Sequence, residues 1–437
     1  MVQKARSYSG FAQPVYVVDG SRTPFLKARG KPGPFHASDL ATSAGKALLA
    51  RQNFAASDFD EVVLGCVMPG AEEVNIGRVV ALRLGCGKSV PAWTVQRNCA
   101  SGMQALDVAA QNIACGRSNL VLAGGVEAMS HAPLLLSEMM AAWLAQWGKA
   151  RHFSQKVGAL AQLKPAYLKP IIGLLKGLTD PNVGLSMGQT AENLAYRFDI
   201  SREEMDAFAV RSHQRLAAAQ AHGFLDEIEP LYDIKGQAYE NDDGVRADSS
   251  VEKLATLKPV FDRKVGHVTA GNSAQVTDGA AWLVLASAQA VEQYDLPVLG
   301  RIVDSEWAGL APEQMGLGPI HAMTPMMKRH RLKPEKIDFW EINEAFAAQV
   351  LACAKAWTST KYCKEEFGMR SAMGEINQDT LNVDGGGISI GHPVGASGAR
   401  IVLHLLNVLK RNNAKRGVAS LCIGGGQGGA MLLEREA

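Results

Sequence analysis

One stretch of this chain occurs twice, and a repeated unit restricts the folds open to it more than any other feature. "CASGMQALDVAAQNIACGRSNLVLAGGVEAM" (Cys99–Met129) has a partner in "GASGARIVLHLLNVLKRNNAKRGVASLCIGGGQGGAM" (Gly395–Met431). Each enters at Ala-Ser-Gly, runs through a helical pattern, turns at Gly or Asn beside basic residues, and enters a strand ending in Gly-Gly. A looser echo pairs "ASDFDEVVLGCV" with "PEKIDFWEINEA" in the same order. Helix–turn–strand units resemble one another by chance, but two echoes in one order predict an internal duplication. Val- and Ile-rich strands alternate with Ala-rich helices throughout, which predicts an α/β architecture.

The chain has 437 residues, 47% of them hydrophobic and 20% charged, enough for a large core and more than one lobe. A net charge of +2 with 6% aromatic residues gives no sign of nucleic-acid binding. No apolar run reaches the ~18–20 residues of a membrane-spanning helix, and "MVQKARSYSGFAQP" lacks the apolar core of a secretory signal. The seven cysteines are scattered, with no CxxC pair. A metal site or disulfide framework is therefore not expected, and a reducing, cytoplasmic compartment is. Most of these thiols, Cys66 in "VVLGCVMPG" among them, read as core fillers.

Leu134–Asp180 differs from the rest of the chain. It carries Lys149, Arg151, Lys156, Lys164, Lys169 and Lys176 against Glu138 and Asp180. Helical spacing over Leu136–Trp147 puts Leu136, Met140, Trp143, Leu144 and Trp147 on one face, and Pro165 and Pro170 interrupt it later. The segment reads as an inserted loop domain with a partner of its own.

Four motifs carry chemistry. In "GGGISIGHPVGASGAR" (Gly385–Arg400), Ile388 and Ile390 argue against a flexible linker. A phosphate loop fits no better, because "GCGKSV" has Leu82 where its first Gly belongs. Gly391 and Pro393 instead pin the backbone around His392, an imidazole able to take a thiol proton, unless it is an ordinary loop histidine. In "QRNCASGMQAL", Cys99 falls at a strand-to-helix turn, where exposure and the helix dipole favour the thiolate; core packing is the alternative. In "LCIGGGQGGAML", Cys422 ends a strand and the glycines that follow offer bare amides to a ligand oxygen. In "WEINEAFAAQ", Asn343 and Glu344 interrupt an apolar passage, and a helix cap is the plain reading of such residues.

"NCASGMQAL", "NEAFA", "GHPVGASGAR" and "CIGGGQGGAM" resemble, in order, the four signature blocks of the thiolase family. "SRTPF", "GGVEAMS" and "VTAGNSAQVTDGAA" extend the likeness over nearly the whole chain outside the basic insertion. The resemblance implies a layered αβαβα sandwich of two duplicated halves, 1–295 and 296–437, the first interrupted by a loop domain at about 133–258. It implies Cys99 as the acylated nucleophile, His392 as its base, and Cys422 as the acid/base toward substrate carbon or the coenzyme A thiol. Asn343 would hold a water that forms one oxyanion hole with His392; the amides of Cys99 and Gly424 would form the other. Acyl transfer between thiols passes through tetrahedral oxyanions, and a second titratable thiol serves the α-carbon once the first is occupied.

For coenzyme A, the matching positions are Met187, Arg246, Phe261, Ala270, Met315, Ala345 and Phe346. Ser186 and Ala274 stand where many short-chain biosynthetic members carry His and Ser, which argues against acetoacetyl-CoA synthesis. The expected reaction is CoA-dependent cleavage of 3-oxoacyl-CoA, as in fatty-acid β-oxidation, with no permanently bound cofactor. Its rivals are acetoacetyl-CoA synthesis from acetyl-CoA and a non-enzymatic lipid carrier or scaffold. The presence of Cys99, Asn343, His392 and Cys422 together speaks against the second. Ketoacyl synthases use a Cys-His-His set, and here the last member is Cys422. The resemblance implies a homodimer or higher assembly. The insertion would meet an anionic membrane surface or a hydratase–dehydrogenase subunit, or else pack on the body over the acyl tunnel.

Overall fold

Continuous apolar runs such as "LVLAGG" and "VASLCI" predict strands buried on both faces, which is how a covered sheet reads in sequence. The computed structural model, which describes residues 10–435, has that arrangement. In the first half, strand Ala92–Val95 lies beside Glu61–Gly65, followed in space by Leu120–Ala128, Thr277–Ala286 and Val15–Arg22. In the second half the order is Phe339–Ile342, Arg416–Ile423, Gln427–Glu434 and Gly300–Gly309. The pairings match step for step: one parallel pair, then two antiparallel pairs. The counterpart of Ala92–Val95 shrinks to a single parallel bridge between Trp340 and Leu381. Val15–Val17 pairs antiparallel with Gly300–Ile302 and joins the halves edge to edge.

The duplication reaches further than the sequence echoes suggested. Val15–Arg22 slips register between Val17 and Asp19, and Gly300–Gly309 slips between Ile302 and Asp304. After each bulge an aspartate accepts from the next backbone N–H, Asp19 from Gly20 and Asp304 from Ser305. "VVDG" and "IVDS" are thus one conserved device within a single chain.

Strand periodicity sorts side chains into layers. Ala280, Trp282 and Val284 face an outer core with helix Ala37–Leu49, whereas Ala281, Leu283 and Leu285 face the centre. In the second half Ala430 and Leu432 face helix Gly318–Arg329, while Met431 and Leu433 face the centre. Helices Ser101–Ala114 and Val394–Arg411 fill the central layer. Only Asn407, Lys410 and Arg411 of the latter escape burial, so the helix is enclosed all round, with Arg400 and His404 buried among its apolar residues. The order is αβαβα, in two like halves.

The repeated Ala-Ser-Gly has a packing reason. The two central helices cross at these triplets, and a Cβ on Gly102 would lie 2.9 Å from the Ala399 nitrogen. A Cβ on Gly398 would lie 2.5 Å from the Met103 nitrogen. Any side chain there would force the helices apart.

The insertion forms a short ribbon, Leu134–Leu135 with Ile171–Ile172, carrying helices Glu138–Lys149 and Phe153–Ala161. The predicted helix starts too early. Ser137 is its N-cap, accepting from the Met140 N–H, so Leu136 lies outside the stripe. The stripe does not pack on the body. Trp143 donates to the Ala159 carbonyl at 2.8 Å and stacks with Trp147, closing on the second helix.

Candidate active site

Each chemical group arrives on a turn at a strand or helix end. Asn98, just before Cys99, takes φ 44°, a left-handed conformation that Asn tolerates better than other side-chain-bearing residues. Its amide donates to the Gly424 carbonyl at 2.9 Å, tying the Cys99 turn to the glycine turn of the other half. The Ser101 hydroxyl closes the same turn, accepting from Arg97 N–H at 2.9 Å and donating to the Asn98 carbonyl at 2.7 Å. Gly425 and Gly426, at φ 89° and 74°, reverse the chain between Arg416–Ile423 and Gln427–Glu434, so Cys422 stays at the end of its strand.

His392 follows Gly391, whose φ of 110° and contact with Thr277 exclude a side chain. The His392 N–H donates to the Gln275 carbonyl at 3.1 Å, and the Gln275 amide reaches the Gly244 and Ile388 carbonyls. His392 Nδ1 lies 2.6 Å from the Ser397 hydroxyl. The Asn343 amide nitrogen lies 3.4 Å from Nε2 of the same ring.

Cys99, His392 and Cys422 line one cavity of about 280 Å³. Met187, Phe261, Met315, Ala345 and Phe346 line it as well. Asn343 stands behind His392, and the Gly424 amide faces the Cys99 sulfur together with the Cys99 amide. Arg246 and Ala270 do not line the cavity. The Arg246 N–H donates to His213, its charge acts on Lys27, and Ala270 is exposed. Ser186 lines the cavity while capping helix Met187–Arg197, and Ser273 donates to the Thr269 carbonyl.

Burial reverses one expectation. The Cys99 thiol is pushed above its ordinary pKa by burial, which outweighs the pull of the Gly424 and Cys99 amides. Cys422 is pushed up well above, by burial and then by its proximity to Cys99 and Cys353. His392 is pulled down to about 4 by burial and by Arg400. The resting pair is therefore neutral thiol and neutral imidazole.

Three supports had no role in the sequence reading. Asn98 could have been noticed, since Asn is the usual non-glycine residue before such a turn. Gln275 and Glu127 gave no local signal. Glu127 is buried, with its carboxyl raised to about 7 by burial, and accepts from the N–H groups of Val67, Met68 and Gly395. Glu344 caps no helix. It accepts from Ser212, Asn382 and the Ile388 N–H, and so anchors the turn before His392.

Two thiols sharing a pocket with one imidazole suit a reaction that moves an acyl group from sulfur to sulfur, so the class is a thiol-dependent acyltransferase. Comparison with known proteins agrees. The thiolase N-terminal domain matches residues 15–289, and the thiolase C-terminal domain matches residues 296–435. Beta-ketoadipyl-CoA thiolase of Pseudomonas aeruginosa is 39% identical over 96% of this chain and 99% of its own. Acetyl-CoA acetyltransferase of the same organism is 38% identical over 97% and 100%. Human mitochondrial 3-ketoacyl-CoA thiolase, solved in complex with CoA, superposes with a TM-score of 0.84 at 35% identity, covering 99% of this chain and 100% of that one. The chain belongs to the thiolase family.

Proposed function

We propose that the protein cleaves 3-oxoacyl-CoA with coenzyme A, giving acetyl-CoA and a shortened acyl-CoA. The observation that carries this reading is the cavity in which Cys99, His392 and Cys422 meet from both halves of the duplication. His392 takes the Cys99 proton, and the thiolate attacks the 3-oxo carbonyl. The C2–C3 bond breaks, and Cys422 protonates the departing acetyl-CoA enolate. Cys422 then takes the proton of an incoming coenzyme A thiol, whose sulfur accepts the acyl group, and His392 returns its proton to Cys99. The Cys99 and Gly424 amides, and Asn343 through a water with His392, hold the oxyanions. Met187, Phe261, Met315, Ala345 and Phe346 form the apolar wall along coenzyme A; Arg246 and Ala270 are left for its outer end, beyond the cavity. No permanently bound cofactor enters this scheme.

Leu175 and Leu178, on the insertion's return path, also line the cavity, which favours longer acyl chains and a β-oxidation role over acetoacetyl-CoA synthesis. Thiolysis rates across substrates of increasing chain length test this. A kcat/KM that rises beyond the four-carbon substrate supports it, and one confined to acetoacetyl-CoA rejects it.

The halves 1–295 and 296–437, with a loop domain at about 133–258, are supported by the matching sheets. A homodimer or higher assembly is supported by the open edge of Ala92–Val95, where Trp93 is 37% exposed. No helix among the described residues is long and apolar enough to cross a membrane; the free cysteines support a cytoplasmic location. From Leu134 to Thr179 only Ala159 is buried, and twelve large apolar side chains there are exposed amid the basic residues. That surface supports a peripheral anionic-membrane contact or a hydratase–dehydrogenase partner. Since Trp143 and Trp147 face the second helix, the contact falls to residues such as Phe153 and Leu160, which are 83% and 55% exposed. Salt-sensitive co-sedimentation with anionic vesicles, lost on replacing Phe153 and Leu160 by Ser, tests the membrane reading.

A further inference from the structure

Ser397 sits five residues beyond His392, is 1% exposed, and has two polar neighbours. Its hydroxyl lies 3.0 Å from the Pro393 carbonyl and 2.6 Å from His392 Nδ1. A carbonyl only accepts, and a hydroxyl has one proton to give. Donating that proton to Pro393 leaves the oxygen lone pairs for a proton on Nδ1. Donating it to Nδ1 instead would set two oxygens 3.0 Å apart with no proton between them. One assignment satisfies both contacts: Nδ1 carries the hydrogen, and Nε2 keeps its lone pair.

The duplicated Ser101 shows what this position does without a histidine. Its hydroxyl also donates to a carbonyl, that of Asn98, but accepts from a backbone N–H, that of Arg97. In the second half the acceptor side of the same serine faces an imidazole.

We propose that Ser397 is a positioning residue that holds His392 in its Nδ1–H tautomer, leaving Nε2 as the atom that takes the Cys99 proton. This rests on the reading of His392 as the base. The other groups around the ring do not fix the tautomer. The Asn343 amide lies nearly equidistant from both nitrogens, at 3.5 and 3.4 Å. Arg400 offers only charge, Cys99 and Cys422 face the cavity, and Glu127 is held by the Gly395 N–H.

The test is the pH profile of Cys99 alkylation by iodoacetamide and of acylation by acetyl-CoA in S397A, S397T and H392A, alongside nitrogen NMR of the histidine-labelled full-length protein. S397A should slow both reactions at neutral pH by about ten- to a hundredfold, with KM for acyl-CoA within about twofold. S397T, which keeps the hydroxyl, should recover most of the loss, and wild-type His392 should show a protonated Nδ1. A wild-type rate and pH profile in S397A, equal losses in S397A and S397T, or an Nε2–H signal from wild-type His392 would each overturn the proposal. If H392A itself leaves alkylation unchanged, it is the base assignment that fails, a result distinct from any of these.

Discussion

At the first Ala-Ser-Gly turn the Cys99 thiol is presented by backbone strain: Asn98 sits at φ 44°, and Ser101 closes the loop around Cys99. At the second turn the group presented is the His392 ring, and the supports are side chains and ions. The helix behind Cys99 buries mostly Ala, Leu, Met and Ile. The helix behind His392 buries Arg400 and His404, with Glu341 on the former and Glu227 and Asp384 on the latter. A cysteine sulfur, two bonds from the backbone, is placed by a rigid turn, whereas an imidazole needs its tautomer and tilt fixed from beyond the ring. Duplication supplied one scaffold, and each half acquired the supports its group requires.

The largest effect that would break this comparison is chemical. Cys99→Ala should cost four or more orders of magnitude in kcat, as loss of a nucleophile does. It should also abolish the acetyl adduct that mass spectrometry finds on the Cys99 peptide after incubation with acetyl-CoA. His392→Ala should slow acylation by about 10²–10⁴, while Cys422→Ser should still acylate but exchange the α-proton poorly. An adduct persisting in Cys99→Ala would place the nucleophile elsewhere.

Next comes the ionic support of the second helix. Burial disfavours charge on His404, yet Glu227 and Asp384 raise its pKa from 6.5 to about 10. The stability this adds is complete below pH 6.5 and is lost as pH rises toward 10. His404→Gln should therefore lose about 3–5 kcal/mol at pH 6, as when one member of a buried ion network is removed. The loss should shrink toward pH 10 in denaturant titrations. His392 has the opposite sign. With its pKa lowered to about 4, its burial favours the fold above pH 6.5 and loses that preference as pH falls to about 4. A His404→Gln penalty independent of pH would mean His404 is neutral, and the contrast between the helices would fail.

The smallest effect probes what the halves share. Gly102→Ala and Gly398→Ala should each destabilise by about 1–3 kcal/mol through overpacking at the helix crossing. Gly398→Ala should be the worse, because its Cβ would meet the Met103 nitrogen at 2.5 Å. The double variant should be non-additive, since both residues act on one contact. Additive losses would show that the triplets do not form a single crossing.

Cys99, His392 and Cys422 each lie on a turn with a local signal, a strand end, a Gly-His-Pro or a run of glycines, but their roles came only with the resemblance; the structure brings the three to one cavity. The duplication was legible where whole helix–turn–strand units repeat, but the paired bulges at Val18 and Val303 rest on a few residues and passed unseen. The thiolate expectation failed because position at a helix start is read from sequence, while the burial that outweighs it is created by elements far along the chain. Arg246 and Ala270 matched a motif yet lie off the cavity wall, because motif position does not report where a loop turns. Ser397 was hidden by its triplet, which packing alone explains at Gly398 and Gly102.

The long-range pairing of the first strand has a consequence during synthesis. Strand Gln427–Glu434 and its neighbours all lie within the last 138 residues of the chain (Gly300–Ala437), so the second half can close as soon as it is made. The first half cannot. Thr23, just past the first strand, receives its hydrogen bond from Ala280, 257 residues further on. At about 5–20 residues per second, Val15, Val17 and Val18 wait on the order of ten seconds to a minute without the sheet that covers them. Translation speed through the intervening segment therefore sets how long those apolar residues stay unpaired.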